Sequence, residues 1–228
     1  MKKQTILKVA VDVGMTLLLM LLMAYELIGR NAHEWLGVGM FVLFVFHHIL
    51  NRKWIAHLGK GTYTPVRIFQ TILVFLALVC ILSSMISGIL MSRYVFAFLP
   101  ISFGRSFARI LHMLGAYWGL VFLSLHLGFH WNSMMGMARR AAGKSSAGRA
   151  WGLRILGLCI AVYGIFAFLR RGIGTYMFLQ SAFVFFDYEE PLVLFYLDYL
   201  AIMGLFVWLG HYLSQGLRKF SAGRRSPR

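Results

Sequence analysis

Two histidine pairs in this chain share one spacing. His33 and His47 are fourteen residues apart, and so are His112 and His126, each pair within its own long apolar stretch. On an α-helix fourteen residues rise about 21 Å and turn about 1400°, which is about 40° short of four turns. Both members of a pair therefore face nearly the same way, one toward each side of a hydrocarbon core about 30 Å thick. One further apolar span separates the two stretches, so they cross in the same direction. His33 is then level with His112, and His47 with His126. Two facing imidazoles at two depths are what a pair of stacked, six-coordinate haems requires, so His33, His112, His47 and His126 are the expected iron ligands.

The rest of the chain is consistent with a membrane setting. Of 228 residues, 60% are hydrophobic and 13% charged, which suits an all-α integral membrane protein rather than a water-soluble domain. The formal net charge of +16 does not point to nucleic acid, because the basic residues cluster in short segments between apolar runs. Six spans are predicted: Lys8–Ile28, His33–Trp54, Arg67–Met91, Phe107–Trp131, Trp151–Leu169 and Leu192–Leu213. The first is read as a retained helix, since no small-residue cleavage site follows it. Residues 1–140 would form a four-helix haem-binding core, and 141–228 two further transmembrane helices.

Lys and Arg set the expected orientation. Seventeen fall on one side: Lys2, Lys3, Lys8, Arg52, Lys53, Lys60, Arg67, Arg139, Arg140, Lys144, Arg149, Arg154 and the tail from Arg218 to Arg228. Six fall on the other: Arg30, Arg93, Arg105, Arg109, Arg170 and Arg171. By the positive-inside rule both termini are cytoplasmic, in a bacterial inner membrane. His33 and His112 are then outer, His47 and His126 inner. The stretch Ile173–Phe186 is predicted to lie along the outer interface as a half-buried helix.

Other residues carry weaker signals. Cys80 and Cys159 sit mid-span as packing residues, and there is no Cys-x-x-Cys-His for covalent haem. Glycines stand between the histidines, in the stripes His112, Gly115, Gly119, Phe122, His126 and His33, Gly37, Met40, Phe44, His47. They make room either for a flat macrocycle or for close helix packing. Arg105 and Arg109, with Arg93 nearby, are candidate partners for haem propionates. Arg52, Lys53 and Arg67 flank the inner site. Asp12 is taken as the one mid-span acid, serving either proton uptake or a salt bridge to Arg67, and this scarcity argues against an ion path. His48 points about 100° away from His47, while His130, one turn from His126, is an alternative inner ligand. A quinone could use Tyr25, Glu26 and Glu34 outside, or Asp12, His57, His130 and His211 inside.

The segments His33-Glu34-Trp35-Leu36-Gly37, His47-His48-Ile49-Leu50-Asn51-Arg52-Lys53-Trp54 and His126-Leu127-Gly128-Phe129-His130-Trp131 resemble a bacterial family of membrane cytochromes of unknown function. Its members are often encoded beside FMN-binding electron-transfer proteins. The two spacings also look like the four-helix core of respiratory dihaem cytochrome b. The resemblance covers about spans one to four. It implies two haem b groups held by the four histidines, and electron transfer between membrane quinone and an extracytoplasmic flavoprotein or reductase. Phe185–Pro191 resembles tails in the same family. Two other classes compete. One is a non-haem di-iron membrane enzyme using the inner histidines, with His126 and His130 at i,i+4 ligand spacing. The other is a transporter or assembly subunit without a redox centre.

Overall fold

In a computed structural model the described residues are 3–99, 101, 103–142 and 146–223. Lys2, Lys144, Arg224, Arg225 and Arg228 of the charge tally lie outside them. The described residues form α-helices and connecting turns: α1 (Lys3–Met23), α2 (Tyr25–Ile28), α3 (Arg30–Leu50), α4 (Arg52–Ala56), α5 (Pro65–Met91), α6 (Arg105–Ala142), α7 (Ala147–Arg170), α8 (Ile173–Met177) and α9 (Leu192–Gly223). Six of them, α1, α3, α5, α6, α7 and α9, are long and apolar enough to cross a membrane. Without water to take up backbone groups, an apolar segment of this length must satisfy them within itself, and the helix does so.

Most helix ends have a local cause. Pro65 occupies the first turn of α5, and the Thr64 hydroxyl accepts from Arg67 N at 3.4 Å. Ser146 caps α7 in the same way, accepting from Arg149 N at 3.2 Å. The first predicted span is divided at buried Ala24, and Gly29 (φ +87) turns the chain into α3. The second ends at Leu50 rather than Trp54, with a short α4 beyond it. Two helices overrun their expected ends. At 38 residues, α6 is about 57 Å long, so it projects beyond the hydrocarbon layer. The predicted interfacial helix is corrected. Only Ile173–Met177 is helical, with Ile173, Tyr176 and Met177 buried, and the chain from Phe178 runs as turns with Phe183 and Phe185 exposed.

Packing gives two antiparallel hairpins and a C-terminal pair docked on one of them. In the first hairpin α1 meets α3, with a Cβ at Gly14 coming 2.9 Å from Leu43. In the second, α5 meets α6, where a Cβ at Gly115 would collide with Ser84 Oγ and come within 2.8 Å of the Cys80 carbonyl. The long helices α6 and α9 cross with backbones almost touching. A Cβ at Gly128 would collide with the Val207 carbonyl, and one at Gly210 would lie 2.5 Å from the Leu125 carbonyl. α7 packs on α9 through Gly164 against Ala201 and Gly204 against Ile160. By contrast α3 scarcely touches α5 or α6, and it is the least buried of the six long helices. The histidine helices α3 and α6 thus belong to different hairpins, with a seam between them. The main apolar cluster draws on both predicted segments, from Met20 and Met40 through Tyr117 and Leu120 to Tyr199 and Ile202.

Cys80 is half-buried beside Gly119, while Cys159 lies exposed on the outer surface of the bundle rather than packed. A second carboxylate stands inside a span. Asp198 of α9 is 1% exposed, which removes the premise that Asp12 is the one acid there.

Candidate functional site: two histidine pairs

Hereafter inner denotes the side on which α1 begins. At the outer level His33 and His112 face each other across the seam, ring centres 6.0 Å apart at 65°. Two imidazoles on opposite sides of one metal, each about 2.0 Å from it, would have ring centres about 6 Å apart. The spacing therefore suits a shared axial axis. His112 is also held in one tautomer. Its Nδ1 lies 3.0 Å from the Ser84 carbonyl, which only accepts, so Nδ1 must carry the proton. Ser87 Oγ is 3.1 Å away and accepts as well, because its own hydrogen goes to the Ser83 carbonyl at 2.5 Å. Nε2 is left with its lone pair free, the condition for a metal ligand. His33 Nδ1 is buried without a hydrogen bond of good geometry, though the Leu22 carbonyl is near, and Tyr25 meets the ring edge-on at 4.9 Å. Partial burial, with Glu26 beside it, pushes the Tyr25 phenol above its ordinary value, so it presents a neutral ring.

At the inner level the partner is a carboxylate. His47 Nδ1 lies 2.8 Å from Asp12 Oδ1, across the α1–α3 hairpin. With Nδ1–H donating, His47 Nε2 is also free. Of the two readings of Asp12, the bridge to Arg67 does not form. Arg67 donates instead to the His57 carbonyl at 2.7 Å and the Leu58 carbonyl at 3.1 Å, and covers the Tyr63 ring at 4.3 Å. His126 Nδ1 is buried without a partner, and its ring is within electrostatic reach of His47, His130 and Asp12. The structure thus brings the outer pair into ring contact, whereas at the inner level Asp12 bonds His47 alone and His126 touches His130 instead.

Two neighbouring histidines touch the inner pair, His48 against His47 with ring centres 5.5 Å apart and His130 against His126 at 4.9 Å. His48 Nδ1 donates to the Phe44 carbonyl, one turn back, at 2.9 Å, and His57 does likewise to Lys53 at 2.6 Å. His130 Nε2 lies 3.3 Å from Gln70 Nε2, and His211 Nε2 2.7 Å from Gln215 Nε2. Among the described residues no three His, Cys, Asp or Glu side chains gather as a metal cage. Gly115 and Gly119 face α5 rather than the seam, so they serve helix packing; Gly37 has open space where a Cβ would stand. Arg105 reaches back to the Ile101 carbonyl at 3.4 Å, and Arg109 lies 5.5 Å over the Phe183 ring, both exposed.

Glu34 has a different task from the quinone contact considered for it. Its carboxylate accepts from Ser92 Oγ at 2.6 Å and from the backbone N–H groups of Arg93, Tyr94 and Val95 at 2.8, 3.0 and 2.9 Å. This links α3 to the end of α5, across the seam and next to His33. Each hydrogen bond to a charged acceptor contributes about 1.5–3 kcal/mol, less where water competes. The Glu34→Ala variant is expected to expose those three amides. Their hydrogen exchange should quicken by about tenfold or more, equivalent to about 1.4 kcal/mol of local stability; unchanged exchange would refute the link.

Sequence reasoning missed the buried ion cluster at the outer end of α7 and α9. Asp198 accepts from Arg171 Nε and Tyr163 OH, both at 2.7 Å, while Glu190 takes both Arg171 terminal nitrogens at 2.6 Å and Arg170 at 2.9 Å. The signal was an aspartate two turns inside an apolar run that follows an Arg-Arg helix end.

No family model, curated protein or solved structure matches this chain. The likeness to membrane cytochromes rests on the quoted residues alone.

Proposed function

We propose that this protein is a transmembrane b-type dihaem cytochrome that carries electrons between the membrane quinone pool and an extracytoplasmic redox partner of the flavoprotein or reductase class. It would work as the electron-transfer subunit of a membrane oxidoreductase, in a bacterial inner membrane with both termini cytoplasmic. The observation that carries this reading is the outer imidazole pair, 6.0 Å between ring centres, with His112 locked so that Nε2 points away from its hydrogen-bond partners. Haem, once bound, supplies reversible one-electron chemistry at its iron. The chain's own residues do the rest. His33 and His112 would hold one haem, and His47 and His126 the other. Asp12, Ser84 and Ser87 orient two of the rings, and the apolar helices exclude water. Arg93, Arg105 and Arg109 supply positive charge at the outer end for propionates. The di-iron reading finds no support in the ligand grouping among the described residues.

A reduced-minus-oxidised absorption spectrum of the purified chain tests the proposal. Sharp b-type bands equivalent to two haems per chain are expected. Iron without haem bands would favour the di-iron class, and properly folded, colourless, metal-free protein the transporter or assembly class.

A further inference from the structure

We infer that the outer turn between α5 and α6 binds the phosphate headgroup of an anionic phospholipid, held by Arg93 and Arg105. A cavity of about 250 Å³ lies there. Ile89 and Leu90 of α5, with Phe96 and Ile101 of the connection, give it apolar walls, and Arg93 and Arg105 also line it. Hydrogen bonds fix the walls. Phe96 N donates to Ser92 Oγ at 2.9 Å, Leu99 N to the Phe96 carbonyl at 3.0 Å and Ile101 N to the Leu99 carbonyl at 2.8 Å. Glu34 ties the start of the turn to α3. The space is therefore preformed, which lowers the ordering cost of binding.

The positive charge at this cavity is uncompensated. Six cations lie on the outer side. Arg30 pairs with Glu26, Arg170 and Arg171 pair with Glu190 and Asp198, and Arg109 lies over the Phe183 ring. Of the six, only Arg93 and Arg105 make no ion pair and no ring contact among the described residues. The Arg105 side chain has one long bond, to the Ile101 carbonyl at 3.4 Å. Helix ends do not alter the balance. α5 ends at the cavity and α6 begins there, so about −0.5 of a charge meets about +0.5. Two guanidinium forks remain, each shaped to take two phosphate oxygens.

Position selects a lipid as the source of the phosphate. α5 and α6 are long and apolar enough to span, and the turn that joins their outer ends falls at headgroup depth. At about 250 Å³ the cavity is smaller than the roughly 300–1,000 Å³ that encloses a whole small-molecule ligand, so it takes a head and leaves the acyl chains outside. Ile89, on its apolar side, is 37% exposed and offers those chains a surface. The outer histidines lie on another face of α5. A Cβ at Gly88 would stand 3.6 Å from His112 Cε1, whereas Ile89 and Leu90 are about 100° and 160° around the helix from it. A propionate of the outer haem is the competing anion for the same two forks.

Photolabelling of the full chain in phosphatidylcholine vesicles tests this, with a trace of photoactivatable phosphatidylglycerol as the probe. Label is expected on peptides of the α5–α6 connection, and unlabelled phosphatidylglycerol should compete it away. Arg93→Gln/Arg105→Gln should cut that label about tenfold or more, because two charge-assisted clamps are lost. Both side chains are exposed, so the fold should be kept. Arg139→Gln/Arg140→Gln, which removes as much charge from the inner side, should leave the label intact. No label on the connection would overturn the inference, as would label that both double variants reduce equally or neither reduces. Displacement by inorganic phosphate would mark a free-anion site and overturn the choice of a lipid. Haem-free and haem-loaded chains should label alike; label lost on haem loading would give the forks to propionates and overturn it as well. The dihaem reading is judged separately, by its absorption spectrum.

Discussion

The His112→Ala variant is expected to bind one b-type haem per chain in place of two, with helix content unchanged. The ring it removes stands opposite His33 at 6.0 Å, so the outer centre would lose one of its two axial nitrogens. The helix that carries it does not depend on that ring. α6 is held to α5 by the close approach at Gly115, one turn from His112, and to α9 by the one at Gly128, sixteen residues from His112. Ser87 is the group left exposed to a cavity. It keeps its own bond to the Ser83 carbonyl, so the change leaves no hydroxyl unpaired. Haem absorbance per chain, read beside circular dichroism, measures the outcome. Two haems retained in a folded His112→Ala protein would refute the pairing.

The Asp198→Ala variant should be the most destabilising single change in the C-terminal half. Asp198 is 1% exposed and holds Arg171, Tyr163 and, at 3.5 Å, Arg170. Removing one partner of a buried ion pair costs about 3–5 kcal/mol, because the remaining charge stays desolvated. Arg171 retains Glu190 through two short bonds, so the lower end, about 3 kcal/mol, is expected. For a chain of this size that corresponds to a fall of about 6–12 °C in unfolding temperature. Thermal unfolding in detergent measures it against Asp187→Ala, whose side chain is on an exposed turn and should melt like the parent. An Asp198→Ala protein as stable as the parent would mean the cluster does not hold α7 to α9.

What could be read in advance followed from periodicity. Six apolar runs gave six long helices, and a fourteen-residue repeat set two histidines on one face of each of two helices. That His33 meets His112 follows from both helices crossing in the same sense. What escaped was whatever depends on which helices are neighbours. Asp12 meets His47 because α1 and α3 pair in one register, and neither residue's own context reveals it. Gly115 and Gly119 share a stripe with the histidines, yet they sit toward α5, since a helix face about 100° wide can serve two neighbours. The crossing of α6 on α9 was hidden for the same reason. Helix α8 stops at Met177 where a longer interfacial helix was expected, and non-glycine Leu179 then takes a positive φ of 55°. Asp198 was overlooked because the loop acids Asp187, Glu189 and Glu190 precede it closely, and composition does not say which of four carboxylates goes under the surface.

The ion pairs of the outer end have an electrical consequence. Its six cations, Arg30, Arg93, Arg105, Arg109, Arg170 and Arg171, are matched by six anions, Glu26, Glu34, Asp187, Glu189, Glu190 and Asp198. That surface is therefore electroneutral, whereas among the described residues the opposite side carries twelve cations against the single acid Asp12. A molecule arriving at the neutral surface meets no long-range steering field, so its encounter rate should vary little with ionic strength. Recognition there falls to shape and to the ring faces that stand clear of it, such as Phe98, Phe103 and Phe185.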